Sequence, residues 1–208
     1  MRIALAVVVL LASACSAGGE ELLDAFIDEI LDDAPLTESD DPAVAAAGYT
    51  AEDQSNEQRA EAEIDRALEQ GATTNERIRH AENAILARPG DPLYYLYLAW
   101  FMAPNGQLMW GEIQNNVGLA RGLVEHQFAD IQDPERRRMH ADRRMLELMM
   151  EVTRAALESE TDQATRDRHT EKYCAHRYNY LARGFVENTV EGQAYWDWSI
   201  GHHLCSSS

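Results

Sequence analysis

Apolar side chains recur every three or four positions along most of the chain, which is the period of an α-helix with one buried face. Polar and charged residues fill the intervening positions, and turn-forming residues interrupt the pattern at intervals. The pattern predicts six helices over about residues 55–70, 73–88, 91–103, 107–128, 133–158 and 162–183. We therefore expect an all-α fold of antiparallel helix hairpins, either a regular repeat or an irregular helical array.

Capping residues support these boundaries. Thr73 with Glu76, and Ser55 with Gln58, have the spacing of a capping box, in which each residue satisfies a backbone N–H of the other. Asp91 precedes a proline, and Asp followed by Pro is typical of a first helical turn. Most helix starts are therefore predicted from local chemistry alone.

The third helix differs from the others because Leu93–Ala103 is apolar on every side, which predicts a position in the centre of the core. In the fourth helix Gly111, Gly118 and Gly122 share one face. Since glycine weakens a helix, they indicate either close packing of another backbone or a kink. In the sixth helix we expect Cys174, Tyr178 and Leu181 to face the core.

The N-terminus has the pattern of a secretory signal peptide. A basic start, an apolar run over residues 3–11 and small residues at 12–14 precede Cys15. The apolar run is too short to span a bilayer. Leu11–Cys15 resembles the lipobox of bacterial lipoproteins, although Ala12 stands where a large aliphatic residue is usual. The resemblance implies that Cys15 becomes the acylated first residue; the alternative is cleavage after Ala14 or Ala17 and release of a soluble protein.

Charge separates the next segment from the main domain. The 208 residues include 36 acidic and 18 basic residues, a net charge of −18, and residues 18–70 hold 17 of the acids with only two bases. This balance argues against a nucleic-acid partner and against adsorption to anionic lipid. We expect a signal peptide over 1–14, an acidic tether with a short amphipathic helix over 15–53, and a helical domain over 54–208.

Three cysteines occur in the chain. If Cys15 is acylated, Cys174 and Cys205 remain, and an oxidising compartment favours a disulfide that holds the C-terminal tail against the sixth helix. The alternative is a zinc or copper site formed by Cys174, His176, His203 and Cys205, because two thiolates and two imidazoles suit a tetrahedral metal ion. In a helix, however, residues 174 and 176 point in nearly opposite directions.

A dense basic cluster occurs near the start of the fifth helix, where Arg136, Arg137, Arg143 and Arg144 share two faces. Such a patch suits a phosphate, an acidic partner or the acidic N-terminal segment. The alternative is a solvated face in which the arginines pair with local acids such as Glu147.

Residues 58–103 resemble tetratricopeptide-type helix hairpins. The matching positions carry Ile64, Leu68, Ala81, Ala84, Pro89, Tyr95, Leu98 and Ala99. Glu61, Asp65 and Arg77 depart from the family pattern, and residues after 106 do not continue it. The resemblance implies a scaffold that binds a protein or peptide.

Common catalytic, phosphate-binding and dinucleotide-binding motifs are absent from the sequence. We therefore expect a non-enzymatic envelope protein without a cofactor, exported to the periplasm or outer membrane and attached only by its lipid. Its expected partner is another protein or a peptide. The alternative function is a small metal- or ligand-binding envelope protein.

Overall fold

A computed structural model describes residues 51–185 and Cys205. The described part forms six α-helices with no strand among them, so the predicted all-α fold is confirmed. The helices are α1 (Ala51–Leu68), α2 (Thr74–Ala87), α3 (Pro92–Met102), α4 (Gly106–Gln127), α5 (Pro134–Ser159) and α6 (Gln163–Ala182), with a short 3₁₀ turn at Ala103–Asn105. The predicted signal peptide, Cys15, the acidic tether up to residue 50, and residues 186–204 lie outside the described residues.

Local capping accounts for most of the helix boundaries. Thr73 and Glu76 form both hydrogen bonds of the predicted capping box at the start of α2. The Asp91 carboxylate accepts a hydrogen bond from the Leu93 N–H at 3.1 Å and caps α3. The predicted box at Ser55 is wrong, because α1 already begins at Ala51 and Ser55 lies inside it.

Each helix packs mainly against its neighbours in sequence, and short connections reverse the chain between them. α3 lies at the centre, in contact with α2, α4 and α5, and nine of its eleven residues are buried. This confirms the prediction for the apolar third helix. α5 also contacts α1, so α1, α3 and α5 lie together on one side of the domain.

The glycine-rich face of α4 does not pack against a neighbouring backbone. A β-carbon added at Gly111, Gly118 or Gly122 would meet no atom within 4 Å, so the predicted close approach is wrong. The predicted kink is not needed either, because α4 is continuous from Gly106 to Gln127. The opposite, apolar stripe of α4 packs into the core as predicted and includes Ile113 and Val117.

The buried face of α6 is only partly the predicted one, since Cys174 packs against the core but Tyr178 and Leu181 are exposed. Tyr178 is 72% exposed and Leu181 40% exposed, whereas the residues that face the core are His169, Lys172, Tyr173, His176 and Tyr180. The reason lies in α3, where the Trp100 ring meets the His169 ring in a tilted arrangement, with 5.3 Å between their centres, and has the Lys172 ammonium at 5.8 Å from its own centre. These contacts with the Trp100 ring stabilise the orientation in which a mixed polar face of α6 is buried. On α5, the spacing of apolar residues also predicts Met139 in the core, but this side chain is 46% exposed.

The predicted disulfide is confirmed. Cys174 of α6 and Cys205 are bonded, with their Cα atoms 5.5 Å apart and a sequence separation of 31. Both cysteines are partly buried and pack against the hydrophobic core. The bridge therefore fixes the chain near its C-terminus to α6.

Candidate functional site: a groove between α1, α3 and α5

An open groove lies on the side of the described domain where α1, α3 and α5 meet. Its volume is about 750 Å³. The lining residues are Glu57, Glu61, Ile64, Asp65 and Leu68 from α1, Asp91, Leu93, Tyr94 and Tyr97 from the start of α3, and Glu151, Ala155, Glu158 and Ser159 from α5. We call this feature the α1–α3–α5 groove.

One wall is the exposed side of α1. Glu57, Glu61 and Asp65 follow one another at intervals of four residues and therefore lie on one face of the helix, about 6 Å apart along its axis. Ile64, which is buried, and Leu68, which is partly buried, lie below them. The wall is thus apolar at its base and acidic at its edge.

The floor is the first part of α3. Tyr94 and Tyr97 are buried, and their rings belong to the hydrophobic core. Burial and then the nearby Asp91 carboxylate raise the pKa of Tyr94, so its phenol stays neutral at physiological pH. The neighbouring Tyr95 hydroxyl donates a hydrogen bond to the Pro89 carbonyl at 3.0 Å, which ties α3 to the preceding turn.

The opposite wall is the C-terminal part of α5. Glu151 and Glu158 are seven residues apart, which places them on one face about 10.5 Å apart along the helix. Ala155 lies between them and leaves room in the groove because its side chain is small. The Ser159 hydroxyl donates to the Ala156 carbonyl at 3.0 Å, so this hydroxyl is held by its own helix.

The groove is strongly acidic. Six of its lining residues are carboxylates, and no lysine, arginine or histidine is among the described residues that line it. Arg88 approaches one end, where its guanidinium lies 3.5 Å from Glu57 and 3.9 Å from Asp91. The negative charge is therefore partly balanced at the start of α3, while Glu61 and Asp65 are exposed further along α1.

The four arginines of the predicted patch have different environments in the structure. Arg136 is exposed, but Arg137 donates two hydrogen bonds to the Ile131 carbonyl, at 2.9 and 3.0 Å, and closes the turn before α5. Arg143 and Arg144 both contact the buried Glu147 carboxylate, at 2.9 and 3.5 Å. Arg143 and Arg144 thus form local ion pairs, as the alternative predicts. An anion site at this arginine cluster stays a prediction.

Two buried carboxylates of α5 connect it to its neighbours. Asp142 accepts from Arg121 of α4 at 2.6 Å, and it lies 3.4 Å from Arg183 just after α6. Glu147 accepts from the Tyr180 hydroxyl of α6 at 3.2 Å. Burial and then the Glu147 charge raise the pKa of Tyr180 to about 12, so the hydroxyl keeps the proton that it donates. These interactions hold α4, α5 and α6 together and lie away from the groove.

The alternative metal site loses two of its ligands in this structure. The sulfur atoms of Cys174 and Cys205 are bonded to each other, so neither is available as a thiolate. His176 is buried against the core, and His203 lies outside the described residues. Within residues 51–185 and Cys205, no three His, Cys, Asp or Glu side chains are placed to hold a metal ion.

None of the described helices combines the length and the apolar character that are needed to cross a bilayer.

Comparison with known proteins gives no match: no family model, no curated protein and no solved structure matches the chain.

The groove residues were not among the site residues predicted from sequence. One signal was present, because Glu61 and Asp65 are two of the positions that depart from the tetratricopeptide-type pattern. A second signal was the run of like charges Glu57, Glu61 and Asp65, since such i, i+4 pairs destabilise an isolated helix. Neither signal shows which helices face these carboxylates, and that information comes only from the packing.

Proposed function

We propose that this protein is an exported, lipid-anchored helical scaffold that binds a peptide segment of another protein in the α1–α3–α5 groove. The observation that carries the proposal is the groove itself, an open trough of about 750 Å³ with two helical walls and an aromatic floor. Binding sites are typically concave, with apolar surface for affinity and a few polar groups for orientation.

Several features of the fold support a binding role over a purely structural one. The walls come from α1 and α5, which are 83 positions or more apart where they line the groove, and the start of the central α3 lies between them. α3 is almost completely buried, so the floor is rigid. A rigid, preformed site loses little conformational entropy when a flexible segment binds to it.

The sequence supports the location. The signal peptide pattern and the resemblance of Leu11–Cys15 to a lipobox favour export and acylation of Cys15. The small residues Ser16–Gly19 then provide a flexible link between the lipid and the rest of the chain. The substitution Cys15→Ser is expected to move the protein from the membrane fraction to the soluble fraction. Mass spectrometry of a native N-terminus that starts at residue 16 or later would contradict the anchor.

Selection of peptides on the full mature chain tests the binding role. A displayed library of random twelve-residue peptides is enriched on the immobilised wild-type protein and then tested on two variants. Ala155→Trp fills the groove without changing its charge, whereas Ala164→Trp places the same side chain at an exposed position of α6 as a matched control. We expect enriched peptides to bind the wild type and the Ala164→Trp variant and to lose binding to Ala155→Trp.

Two results would reject the proposed groove. One is the absence of any enriched peptide. The other is a set of enriched peptides that bind the Ala155→Trp variant as tightly as the wild type, because the groove would then not be their site.

A further inference from the structure

We infer that the occupant of the α1–α3–α5 groove is a cationic segment, rich in arginine or lysine, of a partner protein. This inference rests on the proposed function and adds the chemistry of the ligand. It is carried by the charge of the two walls together with the apolar base between them.

The charges on the walls are arranged as two acidic rows. Along α1, Glu57, Glu61 and Asp65 repeat about every 6 Å, and along α5 Glu151 and Glu158 are about 10.5 Å apart. In an extended peptide, side chains on one face repeat about every 6.6–7 Å. A segment with a basic residue at every second position would therefore bring successive cations close to successive carboxylates of α1.

The floor suits the same ligand. Tyr94 and Tyr97 close the floor but are only 4% and 5% exposed, so the apolar surface that a ligand can cover comes from the partly buried Leu68 and Leu93. The carboxylates lie near this floor: after burial, the charges of Asp91, Glu61 and Glu57 raise the pKa of Tyr94, while that of Arg88 lowers it. Aliphatic stems of arginine or lysine would cover the apolar residues Leu68 and Leu93.

The charge of the groove also favours a cationic partner segment over two other occupants, the acidic segment of this chain and a single metal ion. The segment of this chain over residues 18–50 holds ten acidic residues and no arginine or lysine, so like-charge repulsion disfavours it in the groove. A single metal ion is a poor fit, because no three carboxylates among the described residues converge on one point. A partner segment with repeated positive charges matches both the length of the acidic rows and their sign.

Fluorescence anisotropy with the full mature chain and three labelled twelve-residue peptides tests the inference. In the first peptide arginine alternates with alanine; in the second citrulline, which has nearly the same shape without the charge, replaces arginine; in the third glutamate does. The groove variant combines Glu61→Gln with Asp65→Asn and thereby neutralises two exposed carboxylates of the groove. The matched control is Glu82→Gln with Glu112→Gln, which neutralises two exposed carboxylates on α2 and α4.

We expect the arginine peptide to bind most tightly of the three. Its affinity should fall as salt increases from 50 to 500 mM, because salt screens partly exposed charges. The groove variant is expected to bind the arginine peptide roughly fivefold more weakly than the wild type, the loss typical of two partly exposed ion pairs. The affinity of the control variant should stay within twofold of that of the wild type. Since Glu61 and Asp65 are exposed like charges one turn apart, their neutralisation is not expected to unfold α1.

The other outcomes overturn the inference in distinguishable ways. If the citrulline or glutamate peptide binds as tightly as the arginine peptide, or if library peptides that require an open groove are neutral or acidic, the cationic ligand is wrong while the binding function stands. Equal weakening by the groove and control variants would mean that only the total charge of −18 attracts the peptide. If the arginine peptide fails to bind and the library also yields nothing, the inference and the proposed function both fail.

Discussion

Removal of the Cys174–Cys205 disulfide is expected to lower the stability of the domain by an amount that follows from its position in the chain. The bridge closes a loop with a sequence separation of 31 and connects α6 to a residue three positions before the last one, Ser208. In the native state both cysteines are partly buried against the core. Replacement by alanine therefore removes mainly the covalent constraint and little packed surface.

The magnitude follows from the entropy of loop closure in the unfolded chain. For a loop of this length the chain-entropy relation gives about 3.7 kcal/mol at 25 °C. For a domain of this size, that loss corresponds to a decrease of about 7–15 °C in the midpoint of thermal unfolding. The slope of the unfolding free energy with urea is expected to increase as well, because an unbridged unfolded chain exposes more surface.

Urea unfolding, followed by circular dichroism at 222 nm, measures the effect in Cys174→Ala, Cys205→Ala and the double variant. Because either single substitution already breaks the bridge, all three variants are expected to agree within about 0.5 kcal/mol. A double variant that is as stable as the wild type would refute the reasoning. So would a single variant that loses far more than the double, since an effect of packing or of a free thiol would then dominate.

Three further predictions concern other parts of the fold and are checked by the same unfolding measurement. Gly118→Ala should stabilise α4 by about 0.5–1 kcal/mol, because the position is exposed and open, whereas Gly71→Ala should destabilise, because its φ is +85°. Hydrogen bonds from two side chains of α2, first that of His80, lower the pKa of Glu63, so its stabilising contribution is full above about pH 4.5 and is lost as pH falls through its folded pKa; Glu63→Gln should lack this dependence. Asp142→Asn should cost about 1.5–3 kcal/mol, because the buried Arg121 guanidinium keeps Glu125 but loses its charged bond to Asp142.

The helices and most of their ends were predictable from sequence because they depend on neighbouring residues. The capping box of Thr73 and Glu76 forms within four residues, and the apolar character of α3 alone predicts its central position. The disulfide was predictable from the number of cysteines and the expected compartment, without knowledge of the packing.

The face that a helix turns inwards was harder to predict when its stripe was mixed. On α6, the choice of Tyr178 and Leu181 as core residues rested on their apolar character. The helix instead turns His169 and Lys172 towards Trp100, a residue of α3 that lies about 70 positions earlier in the chain. Such a contact between distant segments leaves no periodic signal in either helix.

The candidate site was the least predictable feature for the same reason. Its walls belong to α1 and α5, and no local pattern indicates that Glu61 and Glu158 line one groove. In the sequence, most of the excess of acidic over basic residues lies in the N-terminal third. In the structure, however, α5 supplies two of the six carboxylates of the groove. The acidic character of the site is thus a property of the packing of three helices, each of which contributes only part of it.

Mapping of amide chemical shifts on the full mature chain is the most direct measurement of the central claim, that the α1–α3–α5 groove binds a peptide segment. The labelled protein is titrated with the arginine–alanine peptide and with the best peptide from the library. The account predicts that the largest shifts fall on groove residues such as Asp65, Tyr97 and Ala155, and that they disappear in Ala155→Trp. Shifts confined to α4 and α6, or an unchanged pattern in that variant, would contradict it.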